Sequence, residues 1–233
     1  NQNNSSFGLL KKTIDTNLID TDYTTAGAFC YRINYGDLCG NASSIGALIC
    51  PMRLTFSVDP KNSITLKWSS LKGWKNGVSN YRIEKFDRSG GLMQTVNVGT
   101  DTVWVDDQVD LLNQVFQYQI IAQPVESGPI NSLSNRIVVT KDVNLFYPNA
   151  FTPDGVGPVE NETFTVLGYY IVKMELKVFD RWGPMVFYTD ENTPWDGTNN
   201  GRALPEGTYV WKAQINDLAG RTFSRGSTVV ILK

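Results

Sequence analysis

The sequence predicts an all-β protein built from β-sandwiches. Apolar and polar residues alternate in short runs, Gly, Asn, Asp and Pro punctuate those runs, and no window carries a helical apolar stripe. With 41% hydrophobic and 19% charged content over 233 residues, the chain has the balance of a globular protein. That length accommodates one to three domains, and sandwiches of roughly 100 residues fit it well.

Composition excludes several classes of function. The formal charge of −2, from 21 basic and 23 acidic residues, gives no field to attract nucleic acid or anionic lipid, so no nucleic-acid partner is expected. Histidine is absent, which removes His-assisted nucleophiles, His proton shuttles and mixed Cys/His zinc sites together. No run approaches the ~20 apolar residues of a membrane-spanning helix, so no direct membrane span is expected. Asn1 to Ser6 has neither a Met nor the regions of a signal peptide, which suggests a mature or truncated C-terminal fragment.

Cys30, Cys39 and Cys50 lack the paired spacing of a zinc site and fit an exported, oxidised protein. Cys30 and Cys50, on two strands of one hairpin, are placed to approach each other, with Cys39 left over; the pairing stays open at this point. No convergent nucleophile or acid–base set is visible. The expectation is a non-enzyme with no catalytic residues, no cofactor and no metal site. Asp106 and Asp107 pose as a carboxylate pair, but neighbours in a strand point to opposite faces, and a surface turn is the simpler reading.

The elements follow in order. Ser63 to Ser69 places Ile64, Leu66 and Trp68 on one face; Tyr81 to Asp87 does the same with Tyr81, Ile83 and Lys85 before a turn at Ser89-Gly90-Gly91. In Leu112 to Gln123, the residues Phe116, Tyr118, Ile120 and Ala122 share a face, and Leu112 six residues before Tyr118 suggests a tyrosine corner. Ser134 to Thr140 closes the set. On these residues, Pro51 to Val143 resembles a fibronectin type III domain, and the module is bounded at 51–145. An internal echo precedes it: Ala28-Phe29-Cys30-Tyr31-Arg32-Ile33 parallels Val115-Phe116-Gln117-Tyr118-Gln119-Ile120. Residues 1–50 are therefore expected to hold only the later strands of a preceding type III-like module, with an exposed apolar face.

From Phe146 the punctuation changes. Pro148 and Pro153 stiffen the segment around Phe151. Val172, Met174, Leu176 and Val178 alternate into Asp180-Arg181-Trp182-Gly183, and Met185 to Tyr188 should pair nearby. Asp196-Gly197, Asn200-Gly201 and Pro205-Glu206-Gly207 supply tight turns. Tyr209, Trp211, Ala213 and Ile215 share a face up to a turn at Asp217 to Gly220, and a last strand, Ser227 to Lys233, carries Val229 and Ile231 inward.

Pro148-Asn149-Ala150-Phe151-Thr152-Pro153, Asp180-Arg181-Trp182-Gly183, Val186-Phe187, Trp195-Asp196-Gly197-Thr198, Gly207-Thr208-Tyr209 and Gly220 occur in the order seen in one family. Residues 146–233 resemble the gliding motility-associated C-terminal domain, the type B sorting domain of type IX secretion. The resemblance implies a folded signal that directs a large secreted, adhesin-like surface protein across the outer membrane. It implies outer-membrane secretion and surface-attachment proteins as partners, and a location at the cell surface. The family usually follows Phe-Thr-Pro with an Asn-Gly-Asp-Gly-x-Asn-Asp loop, which this chain lacks, so Asp154, Glu160 and Glu162 read as a solvated acidic loop.

The candidate partner-binding residues are Phe151, Arg181, Trp182, Trp195, Asp196 and Lys233. Trp and Arg are common in binding hot spots, although core packing is the plainer role for Trp182 and Trp195, and Asp196 is an alternative internal partner for Arg181. The final strand, if one of its edges is open, offers main-chain groups to an added strand. An alternative function is carbohydrate or protein binding through exposed aromatics such as Trp74 or Trp104.

Overall fold

The computed structural model describes residues 7–21, 29–44, 46–126 and 130–232. Strands and isolated bridges make up 46% of the described residues, among which no α-helix occurs. Two hydrophobic cores form in succession, one from Met52 to Val139 and one from Phe151 to Ile231.

Residues before Leu54 depart from expectation. Among those described, Tyr31 bridges Ile49, Gly36 bridges Ala42, and Cys50 bridges Lys72, but no longer strand forms. Cys30 and Cys50 are disulfide-bonded with Cα atoms 4.2 Å apart, and Cys39 is free and exposed. Ala28, part of the internal echo, lies outside the described residues, as do Asn1 to Ser6. The later strands expected in 1–50 are thus reduced to isolated bridges. The apolar side chains that would face a core, among them Phe29, Ile33 and Leu48, are exposed because no second sheet covers them.

The first sandwich packs two sheets. Strands β1 (Leu54–Val58), β2 (Ile64–Trp68) and β5 (Val103–Asp106) form one; β3 (Val78–Phe86), β4 (Leu92–Asn97), β6 (Val115–Pro124), β7 (Ser132–Leu133) and β8 (Ile137–Thr140) form the other. The order is β1-β2-β5 against β4-β3-β6, with β7 and β8 sharing the outer edge of β6. Period-two alternation aims Ile64, Leu66 and Trp68 at Tyr81, Ile83, Phe116, Tyr118 and Ile120, as the sequence predicts.

Two asparagines tie the sheets at opposite ends. Asn135, between β7 and β8, accepts from Leu54 N–H at 2.7 Å and donates to Leu54 C=O at 3.1 Å. Asn62, held at φ 64°, donates to Asp142 C=O and accepts from Asp142 N–H, each at 2.8 Å. Each side-chain amide mimics a ladder partner where no strand lies alongside.

The interior also holds charge. Lys85 Nζ lies 2.6 Å from Asp106 Oδ2, and the Tyr118 hydroxyl donates to the same oxygen at 2.6 Å. Tyr118 is therefore not the tyrosine corner expected of it, because its hydroxyl reaches a carboxylate across the sandwich. A corner-like bond forms instead in the second unit, where Tyr209 Oη donates to Pro205 C=O at 2.9 Å. Asp106 and Asp107 do diverge, but Asp106 is fully buried, so the surface-turn reading holds for Asp107 alone.

The second unit is built on a five-stranded sheet in the order β10-β17-β16-β12-β13. Short strands β9 (Leu145–Phe146), β10 (Ala150–Phe151) and β11 (Leu167–Gly168) precede β12 (Ile171–Phe179) and β13 (Met185–Thr189). Then come β14 (Thr198–Asn199), β15 (Arg202–Ala203), β16 (Gly207–Asp217) and β17 (Thr222–Ile231). The ladders β9–β11 and β14–β15, with the Phe164–Trp195 bridge, cover the inner face of the sheet.

Two readings change here. A register shift between Ile171 and Lys173 turns Val172 out to solvent and Ile171 toward the core. The last strand begins at Thr222, because ten consecutive pairings with β16 outweigh its polar sequence, and Gly226 lets it pass close to Trp211 C=O, where a Cβ would sit 2.8 Å away.

Trp195 is fully buried among Phe151, Phe187 and Tyr209, with ring centroids at 5.4, 6.2 and 5.2 Å. Its Nε1–H donates to Thr198 C=O at 2.9 Å. Trp195→Ala removes that packing and should cost about 3–5 kcal/mol, readable as a lowered urea midpoint of the second unit. An unchanged midpoint would contradict the packing described.

Candidate functional site

The hairpin between β12 and β13 is set by Asp180 and Gly183. Asp180 Oδ1 accepts Trp182 N–H at 2.7 Å, Asp180 C=O accepts Gly183 N–H at 3.1 Å, and Asp180 N–H donates to Pro184 C=O at 3.0 Å. Gly183 takes φ 101°, a conformation that a side chain would strain. This turn thrusts out the two residues between its supports. Trp182 is 81% exposed, and of the six tryptophans it alone stands among the exposed large apolar residues. The Arg181 guanidinium lies 5.6 Å from the Trp182 ring centroid, and Arg181 forms no ion pair among the described residues.

The other candidates have different places. Phe151 and Trp195 are core residues, at 2% and 0% exposure, so neither ring is presented to a partner of the folded unit. The reason is local: Phe151 enters on β10, which pairs with the end of β17, and its ring packs on Trp195. Asp196 is exposed, but its Oδ1 accepts Thr198 N–H at 2.9 Å and so shapes the turn after Trp195. It does not pair with Arg181. Gly197, at φ 75°, leaves only 3.0 Å between a would-be Cβ and the Pro153 ring. Lys233 lies outside the described residues.

A shallow cleft opens beside this surface, lined by Val186, Tyr188, Pro194, Asp196 and Asn199 among others. One edge of the sheet is β13, which the sequence did not single out; the other is β10, which pairs with only the end of β17. The end of β17 is covered, since Val230 N–H donates to Asn149 C=O and Leu232 N–H to Phe151 C=O, at 3.0 and 2.9 Å. Strand addition to those last residues is therefore closed off by β10. Trp74 and Trp104 are half-buried against the first core, so neither is the exposed aromatic that the sequence suggested.

In the acidic loop, Asp154 Oδ1 accepts Val156 N–H at 2.8 Å and Glu162 Oε2 accepts Gly155 N–H at 2.9 Å. These carboxylates order backbone, and no cluster of three or more metal-binding side chains occurs among the described residues.

A polar junction joins the two units. Buried Gln114 donates from Nε2 to Lys141 C=O and to Asp217 Oδ2, each at 2.9 Å, and accepts Ala219 N–H at 2.8 Å. Asp217, also buried, accepts Arg221 N–H and Nε–H at 2.7 Å; Arg221 reaches Asp142 at 3.1 Å and Lys141 C=O at 3.0 Å. Tyr170 donates to Asp110 C=O at 2.7 Å, and Arg88 to Leu218 C=O at 3.1 Å. The β16–β17 turn is thereby gripped by the preceding sandwich. Burial alone would raise the Asp217 carboxyl, but bonds from Arg221 and Gln114 outweigh it and hold it below the usual carboxylate range.

Residues 145–229 match the family model described as the CHU_C Type IX secretion signal domain. That match covers the second unit and is a domain of non-catalytic kind, directing export across the outer membrane to the cell surface or beyond. No curated protein matches the chain. Among solved structures, a two-domain fibronectin type III segment of chicken tenascin is 13% identical, with a TM-score of 0.48 over 77% of this chain and 98% of that one. A tetra-tandem repeat from the extending region of a large adhesion protein is 14% identical, with a TM-score of 0.30 over 88% of this chain and 56% of that one. No helix among the described residues is long and apolar enough to cross a membrane.

Gln114→Ala removes one bond to the buried Asp217 carboxylate, which keeps those from Arg221, and orphans Ala219 N–H, which should cost about 1–3 kcal/mol and speed proteolysis around residues 141–145. Because the folded Asp217 carboxyl is depressed, its contribution is complete above the unfolded value of about 3.9 and disappears as pH falls through the folded value. Acidification below that range should open the same segment to an acid-active protease such as pepsin, and in Asp217→Asn the acid-induced change should shrink.

Proposed function

We propose that this chain is the C-terminal portion of a large secreted, adhesin-like surface protein, whose residues 146–233 act as a folded signal for type IX secretion and for surface attachment. In this reading, 51–145 is a type III-like stalk module and 1–50 part of another. The observation that carries the proposal is the outward-facing Arg181–Trp182 pair, on a unit that matches a secretion signal domain and whose other motif residues are committed to turns and core.

A planar guanidinium beside an exposed indole suits an interface, since both groups bring large contact area and directional bonding. Two exposed side chains follow the hairpin tip on β13, Met185 and Tyr188. The partner is an outer-membrane component of the secretion or attachment apparatus that reads this folded surface. The stalk module supplies reach.

The test is a fusion of the full chain to an inert periplasmic reporter, in a bacterium with intact type IX machinery. Wild type should bring the reporter to the cell surface. The double change Arg181→Ala and Trp182→Ala touches no core contact, so the unit should keep its stability within about 0.5 kcal/mol while surface display falls at least tenfold. Undiminished display of that variant would remove the proposed contact, and periplasmic retention of the folded wild-type fusion would remove the sorting function itself.

A further inference from the structure

Inside the first sandwich, a lysine amine, a carboxylate and a phenol meet in a space closed to water. Lys85 and Tyr118 are directly opposed residues of β3 and β6, so both side chains project from the same face of one sheet. Asp106 ends β5 in the facing sheet. Lys85 Nζ sits 2.6 Å from Asp106 Oδ2, and the side chains of Lys85 and Asp106 are 5% and 0% exposed. The Tyr118 hydroxyl donates to that same Oδ2 at 2.6 Å, while the other oxygen, Oδ1, accepts Gln108 N–H at 3.2 Å. The Lys85 amine rests 4.3 Å from the Phe116 ring centroid. A second buried amine, on Lys141, is held away by its bond to Gln108 C=O at 2.9 Å.

We infer that Lys85 and Asp106 condense to an intramolecular amide, an isopeptide bond that links the two sheets of the sandwich. The geometry separates the roles of the two carboxylate oxygens. Oδ2, which receives both the ammonium and the phenol protons, is the oxygen that leaves. Oδ1, facing a backbone N–H, is the one on which charge develops during attack.

The proton ledger closes without any further reagent. One ammonium proton passes from Lys85 Nζ to Asp106 Oδ2 along their existing contact, giving a neutral amine and a carboxylic acid. Burial pushes the Asp106 carboxyl up, toward the neutral pair, while bonds from Lys85 and Tyr118 hold it below the usual carboxylate range at rest, so the neutral pair is a transient of the reaction. The Nζ lone pair then attacks Cγ, forming the new C–N bond while Oδ1 takes up negative charge. A second proton leaves the nitrogen as the Cγ–Oδ2 bond breaks and Oδ2 departs as water, with Tyr118 giving a proton to the leaving oxygen and receiving one from the nitrogen. The sum is ammonium plus carboxylate to amide plus one water. Amine and carboxyl held in contact by the fold need no encounter, which is the large entropic part of an amide-forming barrier.

The experiment is an intact-mass measurement on the purified, disulfide-reduced full chain, followed by trypsin. The folded wild type should weigh one water less than its sequence. Trypsin should fail to cut after Lys85 and should yield a branched species joining Ile83–Arg88 to Ser89–Arg136. Lys85→Arg and Asp106→Ala should each restore the full sequence mass. Tyr118→Phe keeps the ring in the core and should slow the loss of water at least tenfold in freshly folded protein. A folded wild type at full sequence mass, releasing separate Ile83–Lys85 and Phe86–Arg88 peptides, overturns the inference. Water loss in Tyr118→Phe at the wild-type rate overturns the role given to the phenol.

Discussion

Trp195 is the residue on which the second unit is organised. Its ring fills the space between the five-stranded sheet and the irregular segments that cover it, and its backbone exchanges two hydrogen bonds of 2.8 Å with Phe164 across that gap. Fixing this ring fixes its neighbours. Thr198 C=O must turn back to accept the indole N–H, which requires the Asp196 turn and the positive φ of Gly197. Phe151 must pack at a tilt against the same ring, which draws β10 alongside β17. A layer with few regular strands is therefore held by one large aromatic and the turn that follows it.

The consequence for recognition is subtractive. Most residues that mark this region as a sorting domain are interior or turn-forming: Phe151, Trp195, Gly197 and Tyr209 contribute to the fold and offer little to a partner. In Asp180-Arg181-Trp182-Gly183 the division falls within four residues, with the outer two shaping the hairpin and the inner two facing solvent. The polar junction adds a second constraint. Gln114 satisfies groups on both units at once, so the β16–β17 turn and the first sandwich share one network of buried bonds. The hairpin tip is presented from a base tied to the preceding module.

Much of the fold was legible because period-two alternation is a local signal. Ile64, Leu66 and Trp68, or Tyr209, Trp211, Ala213 and Ile215, face inward as their spacing requires. What local pattern could not show was every choice made by a distant partner. Val172 has the right spacing for the core, yet a bulge against β16 turns it outward. Thr222 to Ser227 has no apolar pattern and is a strand because β16 lies beside it. The candidate site divided along the same line. Core packing was the plainer reading for both Trp182 and Trp195; it holds for Trp195, whereas Trp182 is thrust out by the turn that Asp180 and Gly183 hold. The Gln114–Asp217 contact spans 103 residues and has no signature in either segment.

Under the proposed surface attachment, the way the first sandwich joins its two sheets bears on how the chain carries load. Tension entering through the second unit reaches the first at Lys141 and Asp142, next to β8 and the Asn62 bracket. From there it acts to slide the β3–β6 sheet past the β1–β2–β5 sheet. Apolar contacts between sheets resist such sliding weakly, since they re-form after each step, and the asparagine brackets resist it only until their hydrogen bonds break. A covalent link from Lys85 on β3 to Asp106 on β5 crosses that plane and cannot creep. It forms only once both sheets are in place, so a module closed this way is committed to its folded shape before it meets any load.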